Sequence, residues 1–352
     1  MKPYNLFPLA AIALCLQACS AQTYVVAPSA DGEVIPASEA AATAAVTQSI
    51  RAMVTKTFQA EGHAFRDAHR KAHGCVTAKF TVLGTVPPAL AHGVFAKPRS
   101  FDAVIRYSNG SQQDDHKGDA RGMAVKVLGV DGPKLLSDEA DARTQDFMMM
   151  NHPVFFVRNA ADYVGFQNAV SGSTLQLLGW LTGHIFHESA ILLSLQSKKV
   201  TNPLGTQYWS TTPSKLGPQQ IKFSAKPCVG GSFVSSSDTN DLLRENMQTN
   251  LNTQGACFDF MVQTRTNPST MPIEDPTIEW KTSSSPFVPV ARIQIPAQQA
   301  EQGEACEVIS FTPWHSLAEH RPLGGISRVR KALYLEISTL RHQLNGQPRV
   351  EP

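Results

Sequence analysis

The stretch "ISRVRKALYLEISTLRHQ", Ile326 to Gln343, decides how the rest of the sequence is read. Its spacing predicts a helix, with Gly346 and Pro348 just beyond the end. Leu333, Ile337 and Leu340 form one apolar stripe. Arg330, Tyr334 and Arg341 stand at offsets of four and then seven residues. At helical pitch all three fall on a second stripe, less than about 60° wide. Guanidinium groups on either side of a phenol favour the phenolate over the phenol. The plainer alternative is a surface helix with arginines near its C-terminus and a tyrosine whose ring lies along the surface. The chemical alternative is metal ligation. A phenolate is a hard anionic ligand, and one protein use of it is as the axial ligand of haem iron. Arginines on the same face can also pair with the haem propionates.

A second stretch, "RDAHRKAHG" (66–74), bears on this choice. His69 and His73 are four apart and would share a helix face. The residues between them, Arg-Lys-Ala, lack the glutamate of a zinc-protease helix, and Gly74 should end any helix there. His69 is the one histidine of eleven to which a catalytic role is assigned. His73 is expected at the turn into the next strand, His152 in a loop, and His315, His320 and His342 at the surface or in loops.

Taken in order, these motifs resemble the haem catalases, in particular short members that keep only the haem-bearing core. The family's R-x-x-H-x-K is matched by "RDAHRK", with Arg66, His69 and Lys71. Its R-F-S strand is similar to "IRYSNG", with Arg106 and Ser108. "GDARGMAVKV" (118–127) resembles the following R-D-x-R-G-F-A-V-K-F, and "MNHPVFFVRNAADY" resembles N-N-x-P-x-F-F, with Asn151, Pro153, Phe155 and Phe156. The proximal R-x-x-x-Y with an arginine seven residues on is matched by Arg330, Tyr334 and Arg341. The resemblance covers roughly residues 60–343.

The resemblance implies haem b as cofactor and Tyr334 as the metal ligand, with Arg330 holding the phenolate charge. Arg66, Arg106 and Arg341 would meet the propionates, and Phe156 and Tyr163 would lie against the ring. The implied catalytic set is His69 as acid and base, Ser108 orienting its imidazole, and Asn151 as distal amide. Two departures stand out. Met150 occupies the place of the first asparagine of the family pair, so Asn151 matches the second, and Tyr163 stands where the family has a stacking phenylalanine.

Composition sets the frame. The chain has 352 residues, with 31 basic against 29 acidic side chains. That balance shows no clustered excess of Lys and Arg, which argues against a nucleic-acid partner. The 23 prolines and 23 glycines are spread along the chain and suit a loop-rich α+β fold. No fixed internal period is present. Residues 1–21 read as a secretory signal peptide, residues 22–48 as a flexible tether, and 49–352 as the catalase-like haem domain. "LQAC" with Cys19 resembles a lipoprotein cleavage box, so the chain is either lipid-tethered through Cys19 or released. Both routes lead to the bacterial periplasm or cell envelope. Cys75, Cys228, Cys257 and Cys306 remain, and three full pairings stay open.

Helices are expected from 49 through 71, at 161–170, within 239–251 and at 326–343, and strands at 77–86, 101–108, 122–130, 153–157, 219–227, 258–265 and 287–295. The apolar run 175–195 carries His184, His187 and Glu188, which are costly in lipid, so it reads as core or as a groove-lining helix. The fold class is α+β, an antiparallel β-barrel haem core with flanking helices. The expected function is a haem peroxidase that reduces hydrogen peroxide or organic hydroperoxides with an organic electron donor, with modest catalase action. The alternatives are a non-enzymatic envelope haem-binding or haem-storage protein, and a lipid or hydroperoxide binder without haem. A homo-oligomer stays open.

Overall fold

The computed structural model describes residues 24–25, 31–184 and 187–352. The expected leader and, apart from 24–25, the first part of the expected tether up to residue 30 lie outside these residues. Strand alternation is the organising feature. In β2 (Ser100–Asn109), Phe101, Ala103, Ile105 and Tyr107 point into the core, while Arg106 and Ser108 point to the other face. The same two-residue period runs through β1 (Ala72–Val82) and β3 (Arg121–Leu128).

After β4 (Thr144–Met150) come two short strands, β5 (Tyr208–Trp209) and β6 (Ser214–Leu216), then β7 (Gln219–Pro227), β8 (Ala256–Thr264) and β9 (Val288–Ile295). The order β8-β9-β1-β2-β3-β4-β5-β7 closes on itself through β7–β8 pairing, and every pair is antiparallel. The result is a closed eight-stranded barrel, with β6 attached to β7. Closure leaves no free barrel edge. Phe80, Phe95, Phe147, Phe223 and Phe260 fill its interior, with the Phe147 ring 5.0 Å from that of Phe260.

The helices lie outside the barrel: α1 (Glu39–Glu61), α2 (Ala160–Ser171), α3 (Thr174–Gly183), α4 (Glu188–Ser197), α5 (Leu242–Leu251), the short α6 (Glu304–Glu307) and α7 (Gly325–Asn345). Val46, Ile50 and Val54 of α1 join Val329, Leu333, Ile337 and Leu340 of α7 in a second core. Each set repeats at helical spacing, so the two helices bury matching stripes.

Several expectations change. Helix α1 starts at Glu39 rather than 49, so residues 39–48 of the expected tether are helical. The segment before it is anchored: Arg328 donates to Glu33 at 2.8 Å, to Glu39 at 2.6 Å and to Glu274 at 2.9 Å. Helix α1 also ends early. Gly62 adopts φ 70° and its N–H closes on Phe58, so 66–71 is not helical and His69 and His73 share no helix face. Residues 153–157 are irregular, and the strand is Thr144–Met150 instead. The run 175–195 is divided between α3 and α4, and among the described residues no helix is long and apolar enough to cross a membrane. His73 lies within β1. His315 and His320 lie in the loop segment before α7, as expected of loop residues, though both are buried, and His342 is buried within α7. Disulfides join Cys75 to Cys306 and Cys228 to Cys257.

The Arg328 hub sits near the start of α7 and sets where that helix begins. Arg328→Met removes the cation and leaves Glu33, Glu39 and Glu274 facing one another. The expected loss is about 3–5 kcal/mol of stability, read as a lower urea midpoint. An unchanged midpoint would show that the hub is dispensable.

Candidate functional site

The site is assembled on the outer face of the barrel, where β1–β4 meet α7. Ser108 lies opposite Gly122, and Gly122 opposite Met150, so these three positions form one outward-facing row. His69 covers the glycine. A Cβ on Gly122 would lie 2.6 Å from His69 Nδ1 and 2.7 Å from Ser108 Oγ. Only a residue without a side chain admits the imidazole here. The ring is held through Nδ1, 3.0 Å from Ser108 Oγ.

The His69 backbone is in the left-handed region, at φ 63°. For a residue with a side chain this conformation is strained and needs support. The His69 N–H donates to the Gly110 carbonyl at 2.7 Å, and Arg106 Nη2 donates to the His69 carbonyl at 3.0 Å. Burial and the Arg106 charge push the imidazole down to about 4, with a further contribution from Arg330 and opposition from Asp119. His69 is therefore a neutral base at ordinary pH.

Arg330 links the two halves of the site. Its Nη2 donates to the Tyr334 hydroxyl at 3.2 Å. The same cation acts on His69 and on the Tyr163 phenol. Burial raises Tyr163, Asp67 and Tyr334 add to that rise, and Arg330 opposes it. Phe156 stacks on Phe155 at 4.4 Å and meets Tyr163 edge-on at 5.9 Å. The structure thus brings His69, Ser108, Arg330, Tyr334 and Tyr163 into one electrostatic neighbourhood, with Phe156 against Tyr163.

Arg66, Arg106 and Arg341 also converge, and they do so around Glu307. Arg66 pairs with the Glu307 carboxylate and donates to the Ile309 carbonyl at 2.6 Å. Arg106 Nη2 donates to Glu307 Oε1 at 3.1 Å, and Arg341 Nη1 donates to the Glu307 carbonyl at 2.7 Å. Burial alone would raise the Glu307 carboxyl, but Arg66 and Arg106 outweigh it and hold it below the usual range. The Glu307 carboxylate thus pairs with two guanidinium groups, and its carbonyl takes the third. The cluster has cationic capacity left for an anionic ligand.

Asn151 sits at the end of β4. Its Oδ1 accepts the Arg121 N–H at 2.8 Å, and Lys198 Nζ donates to its carbonyl at 2.7 Å. Its Nδ2 is buried without a partner among the described residues. The residue opposite Gly122 is Met150. Asp67, two residues before the imidazole, is pushed up to about 6 by burial. Asp162, His184 and Glu188 bring potential ligand atoms within 4.8 Å of one another. Arg158 Nε already lies 2.6 Å from Asp162 and 2.7 Å from Glu188, so a side-chain cation neutralises that group.

Sequence reasoning missed Glu307, Gly122 and Asp67. Glu307 carries no spacing signal. Gly122 had one, a glycine inside a strand, which marks close approach by another group. Asp67 stood inside the "RDAHRK" match itself.

Neither protein-family models nor curated protein sequences match this chain. Solved structures do. A fungal catalase superposes with a TM-score of 0.63 at 14% identity, covering 85% of this chain and 62% of its own. A bacterial catalase gives 0.61 at 16%, with the same coverage. Catalase A from Saccharomyces cerevisiae gives 0.54 at 14%, covering 82% of this chain and 62% of its own. The chain therefore has a catalase-like fold, a closed antiparallel barrel with flanking helices, and spans 62% of the length of these structures.

Titration tests the electrostatics directly. His69 should lose its proton near pH 4, followed by nitrogen chemical shifts, and Arg106→Gln should move that inflection upward because it removes a repelling cation. Asp67 should titrate separately near 6. A His69 inflection at the ordinary value near 6.5 would contradict the buried, cation-flanked environment.

Proposed function

We propose that this chain is a haem-dependent peroxidase of the cell envelope. It reduces peroxides with an organic electron donor and has catalase action as a lesser activity. One observation carries the reading: on a catalase-like fold, Arg330 both bonds to the Tyr334 phenol and lowers the basicity of His69. A ligand-type phenol and a neutral acid–base imidazole from opposite ends of the chain thus share one cation.

The residues fit an iron porphyrin. Tyr334 offers an oxygen ligand, with the Arg330 guanidinium 3.2 Å from it. Arg66, Arg106 and Arg341 would hold the two propionates in charge-assisted bonds, since among the described residues the carboxylate seated between them is that of Glu307, paired with Arg66 and Arg106, while Arg341 donates to its carbonyl. Phe156 and Tyr163 supply aromatic surface. When bound, the group supplies a redox-active metal at which the peroxide bond is broken.

The rest of the chemistry belongs to the protein. Ser108 fixes the His69 ring through Nδ1, leaving Nε2 to accept a proton from the near peroxide oxygen. His69 then returns that proton to the far oxygen, which leaves as water or as an alcohol. An imidazole held near 4 gives up a proton readily, so it passes the proton on rather than retaining it. A two-electron organic donor balances the reaction: ROOH + AH2 gives ROH + H2O + A. Envelope residence is supported by the two disulfides, which suit an oxidising compartment.

The test is spectroscopic first. Purified protein supplemented with haemin should show a Soret band, and Tyr334→Phe should weaken haem retention at least tenfold. His69→Ala should keep the band and lose at least a hundredfold in peroxide turnover, consistent with the usual contribution of a positioned acid–base group. A Soret band without turnover in the wild type would identify a haem-binding or storage protein. Absence of the band would remove the haem reading.

A further inference from the structure

A line of rings leads away from the site toward the surface. Tyr163 meets Phe156 at 5.9 Å between ring centroids, Phe156 meets Phe166 at 4.9 Å, and Phe166 meets Trp180 at 5.3 Å. His184 then stacks on the Trp180 indole at 4.2 Å. Spacings of this kind also serve ordinary core packing. What distinguishes the line is its two ends. The inner end is an oxidisable phenol, at the position where the family resemblance has a phenylalanine. The outer end is an indole, 8% exposed, whose Nε1 is buried without a partner among the described residues. The Trp180 carbonyl accepts from His184 Nδ1 at 2.8 Å, so Nε2 of the neutral imidazole carries the lone pair. The ligand atoms of Asp162 and Glu188 lie within 4.8 Å of a ring nitrogen of His184, so an imidazolium there is favoured. An oxidisable ring and a proton acceptor thus lie in contact, and His184 is partly exposed. Gly179 and Gly183 precede Trp180 and His184, and a Cβ on either would meet nothing within 4 Å. Helix α3 carries no Asp, Glu, Lys or Arg. This end is open to a flat, uncharged molecule that can release a proton.

An indole with no acceptor at Nε1 keeps its proton on oxidation, so only an electron moves through it. The proton of the donor goes to the neighbouring imidazole. Hydroquinones are flat, uncharged, and lose electrons and protons in equal number. We propose that the Trp180–His184 stack is an electron-entry site for hydroquinone-type donors too bulky to reach His69, with Phe166, Phe156 and Tyr163 as the path inward. This deepens the proposed function and rests on it for the oxidant, but the path can be measured without haem or peroxide. The step balances. The hydroquinone gives two electrons, one at a time, to the indole and two protons by way of His184, and becomes the quinone. The two electrons pass by Tyr163 to the place where the O–O bond of ROOH breaks, and with two protons taken up there they yield ROH and water.

The experiment takes two readouts on the full chain. The first is pulse radiolysis without added haem. Azide radicals oxidise tryptophan, and transfer inward appears as growth of the tyrosyl absorption while the indolyl absorption decays. The second, on haem-supplemented protein with hydrogen peroxide, is the ratio of kcat/KM for dextran-linked hydroquinone to that for free hydroquinone. Wild type should show the tyrosyl growth. Trp180→Phe and Tyr163→Phe, which both keep a ring in the core, should each cut its amplitude at least twofold. Trp180→Phe should also lower the kcat/KM ratio at least tenfold, with an unchanged Soret band as the control for folding and haem content. Tyrosyl growth equal to wild type in either variant, or a ratio that Trp180→Phe leaves unmoved, would overturn the inference while leaving a peroxidase. Tyrosyl growth that needs both residues, but with no turnover of peroxide, would uphold the path and overturn the peroxidase reading.

Discussion

The cluster of Arg66, Arg106 and Arg341 around Glu307 is the constraint on which the site depends. Its members come from the segment before β1, from β2, from α7 and from α6. Like charges at this spacing repel, and burial adds to the cost, as the lowering of Arg66 shows. The carboxylate and carbonyl of Glu307 offset both. The next residue back, Cys306, is bonded to Cys75, which lies opposite Arg106 across β1 and β2. The disulfide thus fixes the glutamate over the strand that carries one of its arginines. Helix α7 is tied to α6 at this point through Arg341, and at its other end to α1, the segment before it and the segment between β8 and β9 through the Arg328 hub. Between these two anchors stands Tyr334.

The same cluster governs the imidazole. Arg106 holds both Glu307 and the His69 carbonyl, so one guanidinium couples the cationic patch to the strained residue. A left-handed non-glycine residue costs about 1–3 kcal/mol. The supports are specific: an N–H bond to Gly110, the Arg106 bond and the space left by Gly122. Each lies on a different part of the barrel wall, and together they fix the ring without any helix. This explains why the helical reading of 66–71 fails. The chain must leave α1 at Gly62 and turn sharply for His69 to lie over the strand row.

Legibility followed from locality. The register of α7 was readable because Leu333, Ile337 and Leu340 repeat at helical spacing, and β2 because Phe101, Ala103, Ile105 and Tyr107 alternate. Strand β4 was not readable: "TQDFMMM" lacks clean alternation, and methionine suits a helix equally well. Residues 31–48 looked like a tether because their apolar positions are mostly alanines, and their anchors, Arg328 and α7, lie far along the chain. The burial of the loop residues His315 and His320 was hidden for the same reason. His315 is paired by Glu139, and His320 Nε2 accepts the Val94 N–H at 2.9 Å. Glu307 illustrates the limit most clearly, since its meaning exists only once three distant arginines surround it.

The charges of the site are coupled, and the coupling has a direction. His69 is a weak base because burial disfavours the imidazolium and Arg106 and Arg330 repel it. Burial acts on Asp67 with the opposite sign, raising it to about 6. Between about 4 and about 6 both side chains are therefore mostly neutral, and above that range the carboxylate is the charged one. Any anion seated on the arginine cluster would cancel part of the repulsion felt by His69 and make it a stronger base. By linkage, protonating His69 would favour that anion equally. The acid–base strength of the imidazole is thus set by burial together with how completely Arg106 and Arg330 are neutralised, one on the barrel strand β2 and the other on α7.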